Sequence, residues 1–167
     1  MTTRAIFNRQ YTDYTPGGQQ VWLVNGAGVT TTPSRTQSFT AGATLIQGQV
    51  VYVSGTYVLP ASAASGVASE RYNVVGVTAE AAASSASVAV VLDDTAVISS
   101  ANLTGDTALV PGQYYYLSKY DGQLIRYSTA SGLVTLASGY AALVGVGQAL
   151  STSELQVEIE PPIVLTE

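Results

Sequence analysis

Besides its tyrosines, the chain's ionisable side chains are eleven carboxylates, five arginines and one lysine, with no His and no Cys. That inventory sets what chemistry could be done. Without His the commonest general base and metal ligand are missing, and without Cys neither thiolate chemistry nor a disulfide framework is available. Glycoside hydrolysis needs two carboxylates facing each other across a cleft, and no spacing among Asp13, Glu70, Glu80, Asp93, Asp94, Asp106, Asp121, Glu154, Glu158, Glu160 and Glu167 marks such a pair. Asp93-Asp94 could offer oxygens to a hard cation, but turn chemistry explains it more simply. Glu158 and Glu160 alternate with Val157 and Ile159 and read as the solvated face of a last strand. A Ser–Lys nucleophile would need Lys119, which lies beside a Tyr-Asp-Gly turn where a lowered pKa is not expected. Gly145-Val-Gly147-Gln-Ala-Leu150 starts like a dinucleotide fingerprint but has Leu at the third glycine and no helix pattern behind it. Asn25-Gly26-Ala27-Gly28 lacks the Lys-Ser/Thr of a phosphate loop, and Asn102-Leu103-Thr104 is a formal glycosylation sequon. The residues therefore point away from an enzyme, with no cofactor and no metal expected.

The elements that carry these residues are strands. Val, Thr and Tyr dominate, and Gly, Pro, Asn-Gly and Asp-Gly punctuate at short intervals. Strands are predicted at 20–25, 50–54, 57–60, 72–78, 87–92, 114–118, 124–128, 142–148 and 155–159. The Ala-rich stretches 61–69 and 79–87 are broken by Ser and Gly and lack a large-apolar stripe, so they read as loops with at most a short helical turn. Asp121-Gly122 is expected to give a hairpin the positive φ angles of a tight turn, with Ser54-Gly55-Thr56 as its shorter counterpart. Only 10% of the residues are charged, against roughly 25% in ordinary soluble domains. The net charge is −5 and the basic residues are scattered, which argues against a nucleic-acid partner. The first residues lack a signal-peptide core, and no apolar run reaches the ~18 residues of a spanning helix, so a soluble intracellular product without a membrane partner is expected. Little charge repulsion keeps copies of such a protein apart, which suits life inside an assembly.

The chain repeats itself. At an offset of 64, Phe39 to Ser54 lies over Leu103 to Ser118, with Thr, Leu, Gly, Gln, Tyr and Ser recurring in place. Tyr72–Thr78 then resembles 141–147, which pairs Gly76 with Gly145, and Val88, Val90 and Leu92 alternate as Leu155, Val157 and Ile159 do. Two copies are too few for a solenoid. The expected fold is all-β: a small antiparallel barrel or sandwich built from two duplicated four-strand halves (39–92 and 103–160) within a domain at 39–167. Residues 1–38 are expected to form an extended N-terminal arm with an edge strand. Alternation puts Val51, Val53, Tyr115 and Leu117 on the core face. It leaves Val50, Tyr52, Tyr114 and Tyr116 on an amphipathic face suited to a partner. Mid-strand Gly76 and Gly145 suggest a bulge, a bend or a close backbone approach. The arm adds Arg4, Phe7, Arg9, Tyr11, Tyr14 and Trp22 to the candidate interface, with Tyr52, Tyr114 and Tyr116 supplied by the strands.

Several segments share a cadence with known modules: Gly112-Gln-Tyr-Tyr-Tyr-Leu-Ser118, Asp121-Gly122-Gln-Leu124, Leu143-Val-Gly-Val-Gly-Gln-Ala-Leu150, Leu155-Gln-Val-Glu-Ile159 and Ile163-Val-Leu165. Together they resemble bacteriophage virion proteins, namely capsid decoration (cement) proteins and head or tail fibre proteins, across roughly 39–165. The resemblance implies a virion structural role on the capsid surface after synthesis in the host cytoplasm. It also implies an all-β homotrimer whose partners are the major capsid protein and copies of itself. It carries no catalytic residues. The alternative it implies is a fibre module that binds a host receptor or glycan, for which Tyr120 beside Asp121 is the local candidate.

Overall fold

The computed structural model describes residues 35–126 and 139–165 in full, and the backbone of 21–24 and 27–30. The chain divides into two compact units, Met1–Ser34 and Arg35–Glu167. In the first, β1 (Val21–Val24) pairs antiparallel with β2 (Ala27–Thr30), Val24 opposite Ala27. The residues between are Asn25-Gly26, a dipeptide favoured in two-residue hairpins. The edge strand expected at 20–25 is thus one arm of a hairpin.

The second unit opens with a closed five-stranded barrel. Its strands are β3 (Arg35–Ala41), β4 (Val50–Ser54), β5 (Tyr57–Pro60), β6 (Val74–Thr78) and β7 (Ser87–Asp93), in the order β3-β5-β4-β6-β7. Antiparallel pairing of β3 with β7 closes the ring. Residues 35–38, expected in the arm, are therefore the start of a barrel strand. The polar run Arg35-Thr-Gln-Ser38 hid it, because its side chains are all exposed and show no apolar alternation. Val51, Val58, Val88 and Val90 fill the interior with Ala41, Leu45 and Ala82. Ser54 pairs with Tyr57, so the β4–β5 loop is two residues long with Gly55 first at φ 61°. Glycine at that place suits the turn that continues strand twist.

The second half writes the same ladder with different lengths. It contains β8 (Thr95–Val97), β9 (Leu103–Thr104), β10 (Tyr114–Leu117), β11 (Leu124–Arg126), β12 (Ala142–Leu143), β13 (Gly145–Ala149), β14 (Glu154–Val157) and β15 (Ile163–Val164). A curled sheet runs β8-β14-β13-β10-β11-β9, and β12 pairs separately with β15. The four strands expected in each half are present: β4, β5, β6, β7 match β10, β11, β13, β14. Both halves also place a parallel strand beside the hairpin, β3 on β5 and β9 on β11. Even the irregularity repeats. A bulge falls between Val51 and Tyr52 against β6, and between Tyr115 and Tyr116 against β13.

That bulge corrects the glycine assignment. Val51 faces Gly76 and Tyr115 faces Gly147, so Gly76 corresponds to Gly147 rather than to Gly145. A side chain at Gly76 would overlap the Val91 carbonyl oxygen, and one at Gly147 that of Gln156, the ladder-equivalent residue. Close backbone approach explains both. Gly145 has another neighbour: the Glu160 carboxylate occupies the space a Cβ would need.

The halves differ at one strand. Aligned on the bulge, Ala89 corresponds to Glu154 and Val58 to Leu124, so their partners Ser38 and Ala41 correspond to Val97 and Leu103. Two residues separate the first pair and five the second. The excess equals the three-residue 3-10 turn Ser100–Asn102. It cuts the equivalent of β3 into β8 and β9, which sit at opposite ends of the curled sheet's ladder.

A second apolar cluster lies inside the curled sheet and between it and the barrel. It joins Val50, Tyr52, Val77 and Val91 to Tyr115, Leu117, Leu124 and Leu155. Strand β4 is therefore covered on both faces, with Val51 in the barrel interior and Val50 and Tyr52 in the joint. Backbone bonds lock the joint. The Val50 N–H donates to the Gly122 carbonyl (2.9 Å), and the Gly122 N–H to the Ala61 carbonyl (2.7 Å). Gly122 alone takes a positive φ, 71°, in the Asp121-Gly122 turn. Leu117 pairs with Leu124 across six intervening residues, too long a loop to require positive φ at Asp121 as well. Asn102 adds a side-chain bond, its Nδ2 donating to the Gln47 carbonyl at 2.6 Å.

Candidate interaction surface

On β10 the alternation holds: Tyr115 and Leu117 are buried, and Tyr114 and Tyr116 face outward, half-buried. The two outer rings lie 5.7 Å apart between centroids, tilted by 53°. The Tyr114 hydroxyl is 3.5 Å from both the Glu158 carbonyl and the Glu160 Oε1. Burial first, then the carboxylates of Glu160 and Glu158, pushes its pKa up to about 12. Glu160 reaches this spot because Gly145 leaves the surface of β13 open beneath it. The result is an aromatic pair with acid at the Tyr114 edge. Strand periodicity alone suggested only that Glu158 and Glu160 were solvated, because Glu160 lies past the end of β14 and its return to Tyr114 is a tertiary event.

Strand β4 departs from the same reading. Tyr52 is 5% exposed and Val53 40% exposed, the reverse of what alternation suggested. Tyr52 packs in the joint between the halves, so its side chain is covered by this chain and offers no surface to a partner. Period-2 reasoning assumes one dry face, and β4 has two along its first three residues. Val53 and Tyr57 instead expose apolar surface at the end of the β4–β5 hairpin, and Ile163 and Val164 do so on β15. Of the remaining candidates, Arg4, Phe7, Arg9, Tyr11 and Tyr14 lie outside the described residues. Trp22 stands on β1, opposite Val29.

Other chemistry-bearing residues are occupied by structure. Asp94 Oδ1 accepts from the Thr95 N–H (2.7 Å), and its carbonyl accepts from Val157 (2.8 Å), which is turn and packing work. Asp121 forms an ion pair with Arg71 at 2.6 Å, so the carboxylate beside the exposed Tyr120 is already engaged. Lys119 Nζ lies 5.9 Å from the ring centroids of both Tyr120 and Tyr140. Asn102 of the sequon is 1% exposed, and its Nδ2, the atom a glycan would need, points inward to Gln47 and Ser99. Asp106 takes a two-pronged bond from Arg126 (3.1 and 3.2 Å) and one from the Tyr115 hydroxyl (3.4 Å). Burial raises the Tyr115 pKa, partly opposed by the bond its oxygen accepts from the Val110 N–H. Among the described residues, no three His, Cys, Asp or Glu side chains are grouped to hold a metal ion, and no helix is long and apolar enough to cross a membrane. Compared with known proteins, the sequence matches no family model and no curated protein.

Proposed function

We propose that this protein is a virion structural component that binds the outside of a bacteriophage capsid and clamps neighbouring major capsid protein subunits. One observation carries the reading. A doubled β scaffold, internally locked, leaves apolar and tyrosine surface outside: Val53 and Tyr57, Ile163 and Val164, and the Tyr114–Tyr116 pair. Burial of such surface against other polypeptides supplies binding free energy. The strand-and-turn cadence shared with decoration proteins points the same way. In this reading the protein works as a homotrimer, uses no cofactor or metal, catalyses nothing and contacts neither nucleic acid nor membrane.

The head or tail fibre alternative draws on Tyr120, 53% exposed beside Lys119. Mixing purified protein with undecorated shells separates the two. Uptake that saturates at a fixed ratio to the major capsid protein supports the clamp. Binding to host cells without uptake by shells supports the fibre. Deletion of residues 1–18 is expected to weaken uptake, as an arm along neighbouring subunits requires.

A further inference from the structure

The seam between barrel and curled sheet holds a cavity of about 360 Å³, near the small end of ligand-pocket sizes, roughly 300–1,000 Å³. Its walls come from β6, the end of β7, and the end of β14 with the residues that follow. Val75 contributes because of the bulge: it is the extra residue between the Gly76 and Val74 pairings, and it stays half-buried. The equivalent bulge residue in the second half, Val146, is fully buried. The Val157 N–H bonded to the Asp94 carbonyl (2.8 Å) ties the two sides of the cavity together.

The lining has a consistent chemistry. Val75, Leu92 and Ile159 give apolar wall, while Asp93 and Glu158 give two carboxylates and Gln156 an amide; no lining residue is cationic. Neither acid forms an ion pair among the described residues, including with Arg35, the cross-strand partner of Asp93. An uncharged ligand would make no use of the two carboxylates. A compact hydrated cation would gain nothing from the apolar wall. A long side chain with an apolar stem and a planar, weakly hydrated cationic head uses both.

From this complementarity of shape and charge we infer that the seam cavity receives an arginine side chain presented by a partner polypeptide. Its methylenes lie along Val75, Leu92 and Ile159, and its guanidinium lies between Asp93 and Glu158. The inference adds partner chemistry to the capsid-clamp reading and rests on that reading only for which polypeptide presents the arginine.

The test follows backbone amide chemical shifts of the isotope-labelled full-length protein during titration with Nα-acetyl-arginine amide. Nα-acetyl-citrulline amide serves as the uncharged control of matched shape. The expected result is movement concentrated at Val75, Leu92, Asp93 and 156–159, with citrulline responses roughly fivefold smaller at equal concentration. Asp93→Asn combined with Glu158→Gln abolishes the arginine response. Both residues are exposed, and the unperturbed remainder of the spectrum reports that the variant is folded. Equal responses to both probes, movement confined to other surfaces, or calcium chloride alone reproducing the pattern would each overturn the inference. The two readings fail separately. Wild-type protein that shells do not take up sinks the clamp whatever the shifts do. Uptake without an arginine response sinks the cavity assignment alone.

Discussion

The barrel and the curled sheet carry the same ladder, the same parallel strand beside the hairpin and the same bulge, yet one ring closes by hydrogen bonds and the other does not. The difference is three residues. Strand β3 runs unbroken through seven and pairs with both β7 and β5, whereas its counterpart is cut by Ser100–Asn102 into two short strands. Closure of a small sheet thus depends on one strand reaching both edges. The inserted turn then takes another role: Asn102 reaches into the first half to bond Gln47, and Gly48 leaves room for it. What the second half loses in closure it gains in attachment to the first.

The largest predicted effect contrasts Tyr52 with Tyr116, matched positions in the two bulges. Tyr52→Ala empties the joint and should destabilise by about 3–5 kcal/mol, as large aromatic truncations in cores do. Tyr116→Ala removes a half-buried outer ring and should cost about 1 kcal/mol or less. Denaturant unfolding of both variants measures the gap, and similar values would mean that β4 is not covered twice.

The next test asks whether the bulges are equivalent. Gly76→Ala and Gly147→Ala each push a methyl into a neighbouring carbonyl, and each should cost about 1–3 kcal/mol. Gly145→Ala meets the Glu160 side chain first, which can swing aside where a backbone carbonyl cannot, and should cost much less. If Gly145 proved as intolerant as Gly147, the two-residue shift between the repeats would be wrong.

Smaller effects separate the two ion pairs. Arg126→Met breaks the two-pronged, part-buried bond to Asp106 and should cost about 1.5–3 kcal/mol. Arg71→Met breaks the more exposed pair with Asp121 and should cost about 0–1 kcal/mol. The last test is a titration. Tyr114 has a folded pKa raised above its unfolded value, so the stability it contributes is complete below pH 10 and is lost as the pH climbs through about 12. Ultraviolet difference titration should show Tyr114 contributing a step near 12, identified by its loss in Tyr114→Phe, and Glu160→Gln should lower that step in part, because burial remains. No change in that step on removing Glu160 would disconnect the carboxylate from the tyrosine pair.

Much of the scaffold was legible in sequence. Val50–Ser54 and Tyr57–Pro60 fall where β-branched residues and a Gly-Thr turn put them, and the outward pair Tyr114 and Tyr116 follows from period-2 alternation. The failures share a cause: tertiary burial that local pattern does not encode. Strand β3 was masked by an exposed polar start, Tyr52 by the second dry face of β4, and the Glu160–Tyr114 contact by a chain return beyond the last long strand. The two-residue shift of the glycines was hidden because Val144-Gly145-Val146 copies Val75-Gly76-Val77 whereas Gly147 is followed by Gln148, so the local pattern favours Gly145 and only the ladder chooses Gly147. The cavity was invisible for the same reason, since its walls lie on strands far apart in sequence.

The clamp itself is tested most directly by an electron cryo-microscopy reconstruction of undecorated shells mixed with this protein. The predicted result is added density at repeating lattice points, each bridging neighbouring major capsid protein subunits. Shells that stay bare, or density confined to a tail or a single vertex, would contradict it.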